Sequence, residues 1–351
     1  MKDKVVAALS GGVDSSVAAF LLREKGYKVV GATLLLYDEC GKDTSKSCCS
    51  LEDVFSAKEV ASKLKIEHFV LDRKKLFLNA VQNKYLEEMA EGKTPNPCIF
   101  CNKFLKFGSL LEWAIKNGFD FVATGHYARI VATKEKVELF RGVDKNKDQS
   151  YFLFTVEDES LRRTIFPLGE MTKSEVRKIA KEVGLPTFEK RESQDLCFGK
   201  GDNLKKILSS CGIEDKKGDV LFKGKKIGQH KGLSNYTVGQ RKGISIPYSE
   251  PLYVIKIDKK NNTLIVGTKE MAKRKRFKVE NWVWRSKESI NSFDLQVRYR
   301  MKPLKAKFIE EGKDCFIEWV DEREVAAPGQ AAVGYLGQKV IGGGFIAYED
   351  F

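Results

Sequence analysis

Lys4-Val5-Val6-Ala7-Ala8-Leu9 runs directly into Ser10-Gly11-Gly12-Val13-Asp14-Ser15-Ser16, and the reading of this junction decides the fold. An apolar run of strand length empties into a glycine-paired loop, and Val17-Ala18-Ala19-Phe20-Leu21-Leu22 continues as a helix. Glycine lets the backbone approach a ligand closely. The first N–H groups of a helix have no partner inside it, and its dipole favours negative charge there. Serine hydroxyls add donors, and Asp14 suits a magnesium ion shared with phosphate oxygens. The loop is therefore built for an anion of pyrophosphate size. A plain strand-to-helix turn capped by Ser10 or Asp14 would explain a lone glycine pair, but not the whole Ser10–Ser16 run. No Gly-Lys-Ser or Gly-Lys-Thr follows the glycines, so this is not a Walker loop.

Outward from the junction, strand and helix alternate. Residues 27–36 read as a strand, 51–64 as a helix, 66–71 as a strand, 75–89 and 102–117 as helices, and 119–124 as a strand ending in Gly125-His126-Tyr127-Ala128-Arg129. Alternation of this kind predicts an α/β fold with a parallel, doubly wound sheet whose ligands sit at the carboxyl ends of the strands. Residues 10–16 and 125–129 both fall at such ends. Residues 158–184 read as two short helices, the second capped by Thr172 with Glu175 completing a capping box. Past Gly201 the chain becomes Gly- and Lys-rich with hairpin signals, and many short strands follow Leu252, including one over 293–300. That pattern predicts a small central α/β domain and then a small antiparallel β-barrel. We place the domains at 1–200, 201–268 and 269–351.

A net charge of +14 over 351 residues points to a polyanionic partner, nucleic acid first. No run of about 20 apolar residues is long enough to span a membrane, and no signal-type start is present, so we expect a cytoplasmic protein. Eight cysteines are too sparse for a disulfide scaffold and point to thiol or metal chemistry.

Thr94-Pro95-Asn96-Pro97-Cys98-Ile99-Phe100-Cys101-Asn102-Lys103 joins two helical runs. Its two prolines predict a stiff, non-helical loop, with Asn102 capping the second of those helices and the helix start favouring a Cys101 thiolate. Taken alone, Cys101 reads equally as a small buried hydrophobe, and so does Cys197 within Ser193-Gln194-Asp195-Leu196-Cys197-Phe198. The basic run Lys273-Arg274-Lys275-Arg276 with Lys278 reads either as a phosphate-tracking strip or as a solvated linker.

Ser10–Ser16 resembles the pyrophosphate loop of the N-type ATP pyrophosphatases. Taken with Cys48-Cys49-Ser50, the Thr94–Lys103 loop, Thr124-Gly125-His126-Tyr127-Ala128-Arg129, Lys147-Asp148-Gln149-Ser150-Tyr151, the Cys197 segment, Gly239-Gln240-Arg241-Lys242-Gly243 and Ala327-Pro328-Gly329-Gln330-Ala331, the chain resembles the tRNA 2-thiouridylases along nearly its whole length. The resemblance implies ATP-dependent 2-thiolation of the wobble uridine of tRNA, with Mg2+. ATP would lie on Ala8, Leu9, Ser10, Gly11, Gly12, Val13, Asp14 and Ser15, with its adenosine near Leu34 and Gly125. It implies Cys197 as the persulfide carrier and Cys101 as the second catalytic thiol. Asn96, Pro97 and Cys98 would meet the target base, with His126, Lys147, Asp148, Gln149, Tyr299, Arg300 and Gln330 on tRNA. Implied partners are tRNAs of Lys, Glu and Gln type and a cysteine desulfurase or sulfur relay.

One departure stands out: Cys98 occupies the position where many members carry Asp. Cys98, Cys101 and Cys197 would together make three thiolates, enough for a [4Fe–4S] cluster with one iron open. A Cys-x-x-Cys pair is equally suited to zinc or to disulfide exchange. Two further alternatives are a small-molecule ATP pyrophosphatase or ligase, and a tRNA-binding or sulfur-carrier protein without catalysis. The cysteines and basic charge argue against the first, the intact phosphate loop against the second.

Overall fold

The computed structural model describes residues 2–36, 51–190, 216–286 and 290–348. The chain divides into two compact units, one of Met1–Gln82, Pro97–Leu204 and Gln338–Val340, the other of Asn83–Asn96, Lys205–Gly337 and Ile341–Phe351.

In the first unit β1 (Lys4–Ala8), α1 (Val13–Glu24), β2 (Lys28–Leu35), α2 (Leu51–Leu64), β3 (His68–Asp72), β4 (Phe121–Ala123), the β5–β6 hairpin (Ala128–Ala132, Val137–Arg141) and β7 (Thr164–Ile165) follow in order. The parallel sheet has the order β3-β2-β1-β4-β7. Val5 and Val6 on β1 are fully buried, as a central strand covered on both faces requires. Val17, Ala18 and Ala19 of α1 pack with Ala57, Val60 and Ala61 of α2 and with Val176 and Ala180 of the helix Lys173–Glu182. That last helix carries the expected capping box: the Thr172 hydroxyl accepts from the Glu175 N–H while the Glu175 carboxylate accepts from the Thr172 N–H. Strand order reverses direction between β1 and β4, so the loops leaving these two strands open side by side, which is where open α/β sheets bind ligands.

The region around Cys101 departs from the sequence expectation. Helix begins at Pro97, not at Asn102, and runs through Pro97–Phe100, a π-helical stretch Cys101–Ser109 and Leu110–Lys116. Proline's fixed φ and missing N–H suit the first position of a helix, so Pro97 starts the element it was expected to exclude.

In the second unit β8 (Gly218–Phe222), β9 (Lys225–His230), β10 (Tyr253–Asp258) and β11 (Thr263–Gly267) form a sheet of order β10-β11-β8-β9, with β11 parallel to β8. Val220, Val254, Leu264 and Val266 build its core. The strands after Leu252 thus split: β10 and β11 complete this central sheet, and the barrel begins later. It comprises β12 (Arg276–Trp284), β13 (Phe293–Gln296), β14 (Leu304–Glu311), β15 (Asp314–Trp319), β16 (Ala331–Leu336) and β17 (Lys339–Ile346), closed by pairing β17 back onto β12. Trp319, Phe293, Leu295 and Ile317 fill it. β13 stops at Gln296, so Tyr299 and Arg300 lie in a turn, with Arg300 at φ +62°, and not on the expected strand over 293–300.

Three cations of the basic run have carboxylate partners. Lys273 pairs with Glu270 (2.8 Å), Arg276 with Glu311 (2.6 Å) and Lys278 with Asp314 (2.7 Å), and the Arg276 guanidinium sits 3.9 Å from the centre of the Phe316 ring. The three carboxylates come from the short helix Lys269–Ala272, the end of β14 and the start of β15.

Candidate active site

Gly11 has φ +67°, and a Cβ there would lie 2.6 Å from the Asp53 carbonyl oxygen, so only glycine allows the loop to lie against the start of α2. Ser15 Oγ donates to Gly12 O (3.0 Å) and accepts from Ser10 N and Ser10 Oγ, each at 3.2 Å. Ser16 Oγ also donates to Gly12 O, at 2.8 Å. These bonds shape the loop around the start of α1, where the first N–H groups of a helix have no partner within it. Ser10 itself is exposed.

The loop after β4 closes onto the same point. A Cβ on Gly125 would lie 2.8 Å from Asp14 C and Ser15 N, backbone atoms at the start of α1. Leu34, near the end of β2, is buried and pairs with Leu71 of β3. The expected nucleotide residues Ala8–Ser15, Leu34 and Gly125 therefore all stand at the carboxyl edge of three adjacent strands.

Asp14 Oδ1 accepts from Tyr127 OH (2.8 Å) and from Lys173 Nζ (2.6 Å). Sequence reading missed Lys173. A signal was present: lysine at the first position of a helix faces the positive end of its dipole, an unfavourable place without a partner. The Lys173 N–H donates to Asp144 Oδ2 (2.9 Å), which ties the helix start to the 144–150 loop. Beside α1, Thr187 Oγ1 donates to Ser16 Oγ (3.0 Å), and Lys190 pairs with Asp53 (2.7 Å). Asp14 is the carboxylate that fits a divalent ion, and among the described residues no group of three or more His, Cys, Asp or Glu side chains is placed to hold a metal.

Cys98 is exposed and Cys101 half-buried. At positions i and i+3 of one helical run they share a face. Asn102, the buried neighbour of Cys101, donates through Nδ2 to Phe152 O (3.1 Å) and leaves its Oδ1 without a hydrogen bond. Cys197, like Cys40, Cys48, Cys49 and Cys211, lies outside the described residues.

The expected RNA contacts have varied surroundings. His126 is buried against Phe107 and Phe166, and its Nδ1 lies 2.6 Å from Thr124 Oγ1. Burial first, and then the Lys106 charge, holds its imidazole well below the usual range. Asp148 is also buried, and its carboxylate accepts from Arg141 Nη1 (2.9 Å), Gly142 N (3.1 Å), Ser150 N (3.0 Å) and Ser150 Oγ (3.1 Å), which makes it the organiser of its loop. Gln149 Oε1 accepts from Tyr127 N at 3.0 Å, and Lys147 is half-buried. In the second unit, Arg300 lies over the Tyr299 ring at 5.2 Å, and Gln330 Nε2 donates to Thr94 O at 2.6 Å. Asn96 directly precedes Pro97, which is buried.

Residues 3–200 match a family described as tRNA methyl transferase HUP domain, residues 206–268 its PRC-barrel domain, and residues 274–346 an aminomethyltransferase beta-barrel domain. The chain is 40% identical to the tRNA-specific 2-thiouridylase MnmA of Rickettsia massiliae, over 98% of this chain and 97% of the relative. It is also 40% identical to the same enzyme of Leptospira interrogans, over 95% and 91%. Among solved structures, a 4-thiouridine synthetase in complex with RNA and ATP is similar at 20% identity and a TM-score of 0.35, covering 59% of this chain and 50% of that one. By sequence along almost its entire length, the chain belongs to the tRNA-specific 2-thiouridylase family.

Proposed function

We propose that this protein replaces O2 of the wobble uridine of tRNA with sulfur, using ATP to activate the oxygen. The observation that carries the reading is the Ser10–Ser16 loop at the start of α1, with Gly125 closing on it where strand order reverses. Such a loop supports phosphate binding and adenylation, not the methyl transfer of the family descriptions. ATP phosphates lie on Ala8–Ser15 and adenosine beside Leu34 and Gly125. Asp14 offers a carboxylate to Mg2+, which when bound shields phosphate charge. The domains assigned to these tasks are 1–200 for the nucleotide and both thiols, with 201–268 and 269–351 supporting the RNA.

Uridine O2 attacks the α-phosphate, the bond to the bridging oxygen breaks, and pyrophosphate leaves with the electron pair. The adenylated base now carries AMP as a good leaving group at C2. A persulfide on Cys197 delivers its terminal sulfur to C2 and AMP departs. Cys101 attacks Cys197 Sγ to release that sulfur, giving a Cys101–Cys197 disulfide that a cellular thiol reduces. Closure to disulfide distance requires Cα atoms about 4.4–6.8 Å apart. A cysteine desulfurase or relay protein in the cytoplasm recharges Cys197. Asn96, Pro97 and Cys98 adjoin the base, whose extrusion is easy from a single-stranded loop. Incubation with ATP, Mg2+, a cysteine desulfurase with cysteine, a reducing thiol and tRNA bearing a wobble uridine, read by nucleoside mass spectrometry, should give 2-thiouridine. Pyrophosphate release without RNA, and no thiolated nucleoside, would instead mark a small-molecule ATP pyrophosphatase.

A further inference from the structure

Lys173 sits where its charge bears on the phosphate loop. Its side chain is only 10% exposed, its Nζ lies 2.6 Å from Asp14 Oδ1, and Tyr127 OH donates to the same oxygen at 2.8 Å. A second lysine near the loop, Lys190, is engaged by Asp53 at 2.7 Å, the residue whose backbone would meet a Cβ on Gly11. A lone carboxylate in the first turn of α1 would do two unhelpful things: repel incoming phosphates and capture a divalent cation before nucleotide arrives. A buried ammonium on the same oxygen prevents both.

We propose that Lys173 is the charge-balancing, positioning residue of this loop: it neutralises Asp14 in the nucleotide-free protein, so that the divalent ion enters together with the phosphates and not ahead of them. The inference deepens the proposed nucleotide reading and rests on it. A purely mechanical link between α1 and the helix Lys173–Glu182 would predict something different, namely that removing it loosens the site and weakens all ligands alike. Charge balance predicts opposite signs for cation and anion, because the loop then carries one uncompensated negative charge.

The test uses the full chain with Lys173→Gln, which keeps a hydrogen-bond donor for Asp14 while deleting the charge, and Lys173→Arg, which keeps the charge. Mn2+ binding without nucleotide is measured by electron paramagnetic resonance, and ATP binding in EDTA by calorimetry. The expected result for Lys173→Gln is Mn2+ bound several-fold more tightly and ATP about tenfold more weakly, with both affinities at the wild-type value in Lys173→Arg. Both affinities unchanged, or both weakened, in a Lys173→Gln protein with native circular dichroism would overturn the proposal while leaving the nucleotide site standing. Wild-type protein that binds no ATP with or without Mn2+ would overturn the nucleotide reading itself, and this inference with it.

Discussion

Gln330 donates through Nε2 to the carbonyl of Thr94 at 2.6 Å, across 236 positions of sequence. The Thr94 N–H in turn donates to Pro328 O at 2.7 Å, and a Cβ on Gly329, which has φ +84°, would lie 2.9 Å from Lys93 Cβ. The Ala327–Ala331 motif is therefore a brace for the segment leading into Asn96-Pro97-Cys98. Gln330→Ala deletes one hydrogen bond, a net loss of about 0.5–1.5 kcal/mol, and frees the Thr94 carbonyl. We expect tRNA thiolation to fall several-fold while ATP affinity stays at the wild-type value. Equal losses in both would show that the brace serves the nucleotide site instead.

Gly125→Ala tests the closure of the phosphate loop. The new methyl meets backbone atoms of Asp14 and Ser15 at 2.8 Å, and backbone cannot swing aside as a flexible side chain can, so the start of α1 must shift. A displacement of about 1 Å in a reacting geometry costs on the order of a hundredfold in rate. ATP-dependent pyrophosphate release should drop by about that factor while far-ultraviolet circular dichroism stays native. A near-wild-type rate would remove Gly125 from the nucleotide site.

The strand, Ser10–Ser16 loop and helix were legible because their signals are local: an apolar run, a glycine pair, then a helical pattern. The bounds of α2 and the Thr172 capping box followed for the same reason. β17 was not legible, because Gly342-Gly343-Gly344 reads as a loop. In the barrel two of those glycines are required: a Cβ at Gly342 would lie 2.7 Å from Val283 O, and one at Gly344 2.8 Å from Glu280 O, where Trp282 and Trp284 cross from β12. β12 itself was hidden by the charges at its start, whose partners Glu311 and Asp314 are visible only once the strands pair. Lys173 and Asp14 likewise meet only through tertiary packing, 159 positions apart.

His126 gives the fold an acid sensitivity. Burial and the Lys106 charge depress its folded pKa well below the ordinary histidine value of 6.5. As pH falls below about 6.5 the unfolded chain takes up a proton that the folded chain refuses, so stability is present above that pH and is lost on the way down. His68, lowered by burial and then by Lys58, acts in the same direction. Each such group steepens the loss by up to about 1.4 kcal/mol per pH unit. Urea titrations from pH 7.5 to 5.0 should show this slope, and His126→Gln should flatten it; an unaltered slope would mean that the ring takes up its proton equally in the folded and the unfolded chain.

Cys98 distinguishes the persulfide route from an iron–sulfur one. Pro97 starts the helix, so Cys98 and Cys101 lie one turn apart on a common face, with Cys98 exposed and Cys101 half-buried. A cluster needs both of these thiolates plus a third, whereas the persulfide route needs Cys101 to act on Cys197 and leaves Cys98 beside the base. Under that route, Cys98→Ala lowers thiolation no more than about tenfold, Cys98→Asp retains it, and Cys101→Ala abolishes it, all in colourless protein purified without oxygen. Thiolation by Cys98→Asp is the sharper measurement, since a carboxylate can aid proton transfer at that position but is a poor substitute for a thiolate ligand to iron. A brown protein with stoichiometric iron that loses both colour and activity in Cys98→Ala would transfer the chemistry from a persulfide to a cluster.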